Sequence, residues 1–316
     1  MNGSGPPLGD DKPTDGWPAV SVVVPTRDRP QLLARALTSI IDQRYRGNIE
    51  CIVVFDQSQP HLPSIQTPER RHLRVLVNER TPGPAGARNT GAMAATGELL
   101  AFCDDDDEWV EDKLRLQVQA LQSNGEAEVV ACGVLLHYGR RTTVRVPSQI
   151  ITLRQLLRSR TMQAHLSTIL LRRSVFVDEI GLVDEGFPES YAEDYDWMLR
   201  AAGRKAIVAV RQPLVHRYWH RSSFFATRWD VVAGALRHVL TKHPELEQDR
   251  RGLARIYGRL AFATAACGGK EARALARRTL ALDWRQPRAY LALLVSTGAV
   301  GPNTLLRVTR WFGHGI

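Results

Sequence analysis

The 316 residues carry 42 Lys and Arg against 33 Asp and Glu, a net charge of +9, and 44% of them are hydrophobic. This is enough apolar material for one large domain or two small ones. No apolar run approaches the unbroken length a helix needs to cross a bilayer, which argues against a helical membrane protein.

Taken along the chain, residues 1–18, MNGSGPPLGDDKPTDGWP, lack an apolar signal core and read as a disordered lead-in. Residues 19–24 form an apolar strand-like run, followed by Pro30 at a first helical turn and Leu32, Leu33, Ala36, Leu37, Ile40 and Ile41 at helical spacing. Strand-like runs recur at 51–55, 74–77 and 98–103, with a helix expected over 87–95. Trp109 opens a further helical stripe through Leu114, Val118 and Leu121. Strands regularly separated by helical periods predict βαβ units and an α/β fold with a mostly parallel, doubly wound sheet. The carboxyl ends of those strands would then set Thr26-Arg27-Asp28, Asp56 and Asp104 to Asp107 along one sheet edge, where open α/β sheets bind ligands.

Further on, residues 129–136, 167–171 and 207–210 read as strands and 194–202 as a helix. Beyond residue 225 the pattern is helical only, through Leu275, Leu280, Leu282, Tyr290, Leu291, Leu293 and Leu294. The charge divides at the same point. Residues 1–224 hold 27 basic and 27 acidic side chains, and residues 225–316 hold 15 and 6. A basic surplus confined to one helical extension suits an anionic membrane surface or a solvated arginine-rich face, and no nucleic-acid partner is expected. The four cysteines lack metal-ligand spacing and three lie in apolar runs, the pattern of reduced, buried thiols in a cytoplasmic protein.

Four consecutive aspartates in AFCDDDDEW, residues 101–109, follow a strand-like run. Adjacent carboxylates raise the cost of ionising one another unless a cation sits among them, and a hard divalent ion, Mn²⁺ or Mg²⁺, prefers oxygen ligands of this kind. Four further stretches belong with this run: VVVPTRDR at 22–29, VVFDQS at 53–58, GPAGARNTGAMAATGE at 83–98 and YAEDYDWMLR at 191–200. In this order and spacing, over residues 19–223, they resemble the family 2 glycosyltransferases of GT-A fold, inverting enzymes that use nucleotide-diphosphate sugars.

That resemblance implies a GT-A catalytic domain over 19–224, with a nucleotide-sugar half at about 19–110 and an acceptor half at about 111–224, followed by a basic helical extension over 225–316. On the donor side it implies that Asp56 accepts a hydrogen bond from the nucleobase, that Pro25 and Thr26 flank the base with Arg27 nearby, and that Arg88 meets an anionic or uracil-like group. Phe55-Asp56-Gln57-Ser58 departs from the family's paired aspartates followed by Gly-Ser. Asp104-Asp105-Asp106 resembles the DXD motif, with Asp104 facing the ribose, Asp105 in the donor-binding run, Asp106 holding the metal and Asp107 orienting a neighbour. Glu193-Asp194 resembles the ED motif, which makes Asp194 the catalytic base; Glu193 and Trp109 fall on the acceptor side. In PLVHRYWHRSS at 213–223, His220 is implied near the metal or diphosphate, with Arg221 within reach of a phosphate. The implied cofactor is Mn²⁺ or Mg²⁺. The implied partners are a nucleotide-diphosphate sugar donor and a glycan or lipid-linked acceptor, at the inner face of a membrane touched peripherally through the basic tail.

Two other classes are weighed against this one. A sugar-nucleotide pyrophosphorylase would carry a glycine-rich loop after the first strand, where this chain has Pro25-Thr26-Arg27-Asp28. A non-catalytic scaffold using the basic tail has no need of carboxylates at both Asp106 and Asp194.

Overall fold

A computed structural model describes residues 16–139, 141–159, 165–218, 227–298, 300–302 and 304–305. The first half alternates as its periodicities require: β1 (Val20–Thr26), α1 (Pro30–Ile41), β2 (Ile49–Phe55), β3 (Arg71–Val77), α2 (Pro84–Ala94) and β4 (Leu99–Phe102). Pro30 opens α1, where a missing N–H costs nothing, and the helix buries Leu33, Ala36, Leu37, Ile40 and Ile41. β5 (Asp107–Trp109) and α3 (Lys113–Ser123) follow, so Trp109 closes a short strand rather than opening a helix. The expected helical stripe starts only at Lys113. The reason is that residues 107–109 pair with the strand that carries Arg217 to Val215.

The second half contributes β6 (Val129–Tyr138), β7 (Arg141–Arg145), β8 (Ile150–Ile151), α4 (Leu153–Arg158), β9 (Leu170–Arg172), α5 (Glu193–Arg204) and β10 (Ile207–Tyr218). The strand expected over 167–171 divides into a 3₁₀ turn, Leu166–Thr168, and the three residues of β9. β10 runs eight residues past the apolar stretch that marks it in the sequence. It passes Pro213 through a shift in its register with β6, the device that lets proline sit inside a ladder.

The sheet order is β3-β2-β1-β4-β9-β6-β10-β5, with β7 beside β6 and β8 beside β10. The parallel arrangement expected from the sequence holds across β3-β2-β1-β4 and returns between β6 and β10, while β9 joins the two halves antiparallel to both β4 and β6. Alternate residues of each strand serve opposite faces. Val22, Val24, Val53 and Phe55 pack with α1 and α3, and Val23, Ile52 and Val54 pack on the face covered by α2 and α5. The parallel strands all end at one edge, so Thr26, Asp56 and Asp104 come together there.

Four helices complete the described chain: α6 (Trp229–Lys242), α7 (Arg250–Ala266), α8 (Ala272–Leu282) and α9 (Pro287–Ser296). Val232, Leu236, Val239, Ile256 and Leu260 of α6 and α7 share the core of α5. α7, α8 and α9 build a smaller core of their own from Ala261, Phe262, Ala276, Ala289 and Ala292. Cys51, Cys103 and Cys132 are buried and Cys267 is exposed, all as free thiols.

Asp196 ties α6 to α5. Its carboxylate is fully buried and lies 3.1 Å from Arg200, 2.9 Å from Lys242 and 2.9 Å from His243. Burial opposes the charge on both partners, yet Asp196 with Glu245 holds His243 above its usual value, and His243 with Arg200 holds Asp196 below its own. A raised histidine stabilises the fold fully below its unfolded value of about 6.5 and stops doing so as pH rises through its folded value. Asp196→Asn is therefore expected to cost about 3–5 kcal/mol, the scale for breaking a buried ion pair. It should also reduce the loss of stability expected of the wild type on going to alkaline pH, with Glu245 keeping part of the effect on His243. Urea denaturation of both proteins at several pH values checks both outcomes, and equal slopes would exclude the linkage.

Candidate active site

Strand ends and one helix start supply the site. β2 ends at Phe55, and Asp56 follows with its backbone N–H bonded to Thr26. The Asp56 carboxylate accepts from Asn78 Nδ2 at 2.7 Å and from the Gly83 N–H at 3.0 Å, which fixes the loop leading into α2. Gly83 has φ 121°, and a Cβ there would stand 2.7 Å from Ser190 Oγ, so glycine is required on both grounds. Pro25 and Thr26 end β1 in the interior, and Arg27 is exposed beyond them. Pro25, Thr26, Arg27 and Asp56 thus lie together where β1 and β2 end.

The acidic run is divided by its neighbours. Thr26 Oγ1 donates to Asp105 at 2.8 Å, and Arg29 Nη1 reaches Asp105 at 3.1 Å and Asp106 at 3.3 Å. Burial pushes Asp105 up to about 6, against the pull of Arg29. Asp106, a third exposed, is also raised, by burial and by Asp104. Asp104 goes the other way: burial would raise it, but Arg88 and His165 hold it down at about 2. Asp107 is pushed by burial to about 7, with Arg217 Nε 3.6 Å away and one carboxylate oxygen buried without a hydrogen bond.

Arg88 joins the two acidic motifs. From inside α2 its guanidinium donates through Nη2 to Asp104 and through Nη1 to Glu193, each at 2.6 Å, with only 4% of the side chain exposed. The sequence points this arginine at a ligand; the fold commits it to two carboxylates. Burial raises Glu193 to about 7 in spite of that contact. Asn89 next to it clips the loop before α5, bonding both Val183 and Glu185. α5 itself starts from strained backbone: Glu189, Ser190 and Ala192 all have positive φ, a conformation that needs surrounding structure to hold it and that clusters at functional sites.

Sequence reasoning missed His165. Its Nδ1 caps the 3₁₀ turn by accepting the Ser167 N–H, and its Nε2 lies 3.5 Å from Asp104 and 3.7 Å from Asp194. Arg217, from the far end of β10, is 3.3 Å from the same nitrogen. Burial and Arg217 depress the ring to about 3, so it is neutral. The only signal in the sequence is a histidine among Ser and Thr before a strand, too common to single out.

Asp104, Asp107 and His165 each offer one ligand atom, and the three atoms lie within 4.8 Å of one another. Two carboxylates, a neutral imidazole and an orphaned buried oxygen on Asp107 fit a divalent cation. Asp106, the expected ligand, stands beside this group on Arg29. Asp194 is buried at the head of α5, with Oδ1 accepting its neighbour's N–H at 2.7 Å. Trp109, expected on the acceptor side, is instead packed in the core, 4% exposed, with the buried Lys113 ammonium 3.8 Å above its ring. His220 and Arg221 lie outside the described residues.

The description "Glycosyl transferase family 2" matches residues 21–177. The chain is 28% identical over 178 residues to the UDP-Glc:alpha-D-GlcNAc-diphosphoundecaprenol beta-1,3-glucosyltransferase WfgD of Escherichia coli, covering 56% of this chain and 66% of that protein. It is 36% identical over 106 residues to the GalNAc(5)-diNAcBac-PP-undecaprenol beta-1,3-glucosyltransferase of Campylobacter jejuni, covering 32% of this chain and 34% of the relative. The chain thus spans less than two thirds of the length of either. In fold it is similar to S. aureus TarS in complex with UDP-GlcNAc, with a TM-score of 0.56 and 16% identity over 89% of this chain and 91% of that one. It is also similar to the mannosyltransferase PcManGT of Pyrobaculum calidifontis in complex with GDP-Man and Mn²⁺, with a TM-score of 0.53 and 20% identity over 93% of this chain and 89% of that one.

Proposed function

Because this chain belongs to glycosyl transferase family 2, we propose that it moves a sugar from a nucleotide-diphosphate sugar to an acceptor hydroxyl, with inversion and with a divalent metal ion. One observation carries the reading. The acidic run and the Glu193-Asp194 pair, far apart in sequence, meet through Arg88 and His165 in a single site. A helix cap alone would not draw Asp194 toward the run, and a solvated acidic loop would not bury an arginine against it.

Asp104, Asp107 and His165 would hold Mn²⁺ or Mg²⁺, with Asp106 joining on the donor side of this DXD-like run. When bound, the ion supplies positive charge to a departing nucleoside diphosphate. Asp56, Pro25, Thr26 and Arg27 line the nucleotide end. Asp194 takes the proton of the acceptor hydroxyl as that oxygen forms its bond to the anomeric carbon. Arg88 sets the separation of Asp104 from Glu193 and leaves the neighbouring Asp194 facing His165. One base and direct displacement invert the anomeric centre, without the covalent step that a second carboxylate provides in retaining hydrolases.

Both relatives are named for undecaprenol-diphosphate-linked acceptors. By extension we read the acceptor here as a glycan or lipid-linked saccharide of cell-envelope polysaccharide synthesis. We place the enzyme at the cytoplasmic face of the membrane, held peripherally by its basic C-terminal part, a placement that co-sedimentation with anionic vesicles tests. Among the described residues no helix is long and apolar enough to cross a membrane. Residues 306–316, which end this basic part and include Trp311 and Phe312, lie outside the described residues.

A thermal-shift panel of nucleoside diphosphates with and without Mn²⁺ tests the activity class. With the metal present, one diphosphate at a hundred times its dissociation constant should stabilise the fold by about 2.7 kcal/mol, and by less without it. No shift with any of them would exclude the reading.

A further inference from the structure

α7 and α9 bring three guanidinium groups beside the segment that enters α5. Arg255 and Arg259 are one turn apart on the same face of α7. Arg259 Nη2 is 2.5 Å from the hydroxyl of Tyr191 in that segment, and Arg255 Nη2 is 3.3 Å from the hydroxyl of Tyr195 in the first turn of α5. Arg288, in the first turn of α9, arrives across Gly258, where an added Cβ would stand 3.4 Å from the Arg288 Cβ. All three arginines are partly buried. Like charges one turn apart repel, and burial with Arg259 and Arg255 pushes Arg288 down to about 10. Convergent, half-desolvated guanidinium groups hold a repulsion that an anion relieves, and their fork of N–H donors matches phosphate oxygens.

Position narrows the ligand. The donor's diphosphate belongs with the acidic run and its cation, on the strand ends of the nucleotide half. The arginines come instead from α7 and α9, and the tyrosines they hold immediately flank Ala192, Glu193 and Asp194 in the chain. We propose that Arg255, Arg259 and Arg288 form a binding site for the phosphate or diphosphate of the acceptor, seating it beside Asp194. This rests on the glycosyltransferase reading for its purpose, though the anion site itself stands on the arginines alone. The same chemistry is present in a lipid-linked diphosphate and in a soluble phosphate-bearing acceptor.

The test is calorimetric binding of pyrophosphate to the full chain in EDTA, where the acidic run has no cation with which to hold an anion. Wild type should bind, and Arg259→Gln and Arg288→Gln should each weaken binding about tenfold or more, the scale of a lost charge-assisted contact. Arg259→Lys, which keeps the charge without the fork, should fall between wild type and Arg259→Gln. Melting temperatures confirm that each variant is folded. Mn²⁺-dependent nucleoside-diphosphate binding should be the same in all of them. Tighter binding of farnesyl diphosphate than of pyrophosphate assigns the site to a lipid-linked acceptor, and equal binding assigns it to a soluble one. Failure of wild type to bind pyrophosphate, equal binding by folded variants, or arginine-dependent binding to phosphatidylglycerol vesicles alone would overturn the proposal. Absence of nucleoside-diphosphate binding in wild type would instead count against the glycosyltransferase reading, and leave the pyrophosphate result standing.

Discussion

Asp194→Asn is expected to lower turnover about a hundredfold or more, the usual scale for losing a general base, while nucleoside-diphosphate binding with Mn²⁺ stays near wild type. The amide keeps the shape of the carboxylate and can still accept the Tyr195 N–H, which Oδ1 takes at 2.7 Å. What it cannot do is receive a proton from an acceptor hydroxyl. Of the two carboxylates at the head of α5, Glu193 is engaged by Arg88 at 2.6 Å, whereas Asp194 Oδ2 is turned toward His165 at 3.7 Å. Glu193→Gln should therefore behave differently. It removes one of the two charges that Arg88 bridges and is expected to lower stability and donor binding together with turnover. A cap-only role for Asp194 makes the opposite forecast, a lower melting temperature with turnover retained. Single-turnover kinetics and thermal melts on the two variants separate these outcomes.

The acidic run carries the second large effect. Asp104→Asn is expected to abolish both transfer and the Mn²⁺-dependent part of donor binding, because Asp104 belongs to the DXD-like run and to the group of ligand atoms within 4.8 Å. It also leaves Arg88 with one carboxylate in a buried site, so a loss of stability of about 3–5 kcal/mol accompanies it. Asp106→Asn is the cleaner companion. That side chain is a third exposed and pairs with Arg29, itself nearly half exposed, so the fold should change by no more than about 0.5 kcal/mol, as surface substitutions do. Metal-dependent binding should still weaken by about tenfold or more, as loss of groups around a metal typically does. Titration of Mn²⁺ into wild type and both variants, followed by nucleoside-diphosphate thermal shifts, gives the result. Unchanged metal dependence in both variants would remove the cation from this site.

How much of this was legible in advance follows from which interactions are local. Apolar runs and helical spacing specify β1, α1, β2, α2 and β4, since a strand or helix must turn its apolar side inward whatever it packs against. From that alternation follows the edge on which Thr26, Asp56 and Asp104 meet. The five motifs, in order, likewise point to the family. Trp109 shows the limit of periodicity: it continues the spacing of α3 but is drawn into β5 by pairing with Val215. β10 shows another, because Pro213 reads as an end to a strand and only the register shift against β6 carries the chain past it to Arg217.

The electrostatics of the site belong to the tertiary structure altogether. Arg88 has the same residue type and helix position whether it meets a ligand or Asp104 and Glu193; the packing of α5 against α2 decides. His165 becomes a site residue only because β9, inserted antiparallel between β4 and β6, brings the preceding turn to the end of β4. Arg255, Arg259 and Arg288 are scattered charges of a basic tail until α7 and α9 fold against the entry to α5. Periodicity records what each segment buries. It carries no record of which distant polar group will share the buried space, and that sharing sets the charge of Asp104, Asp107, Glu193 and His165.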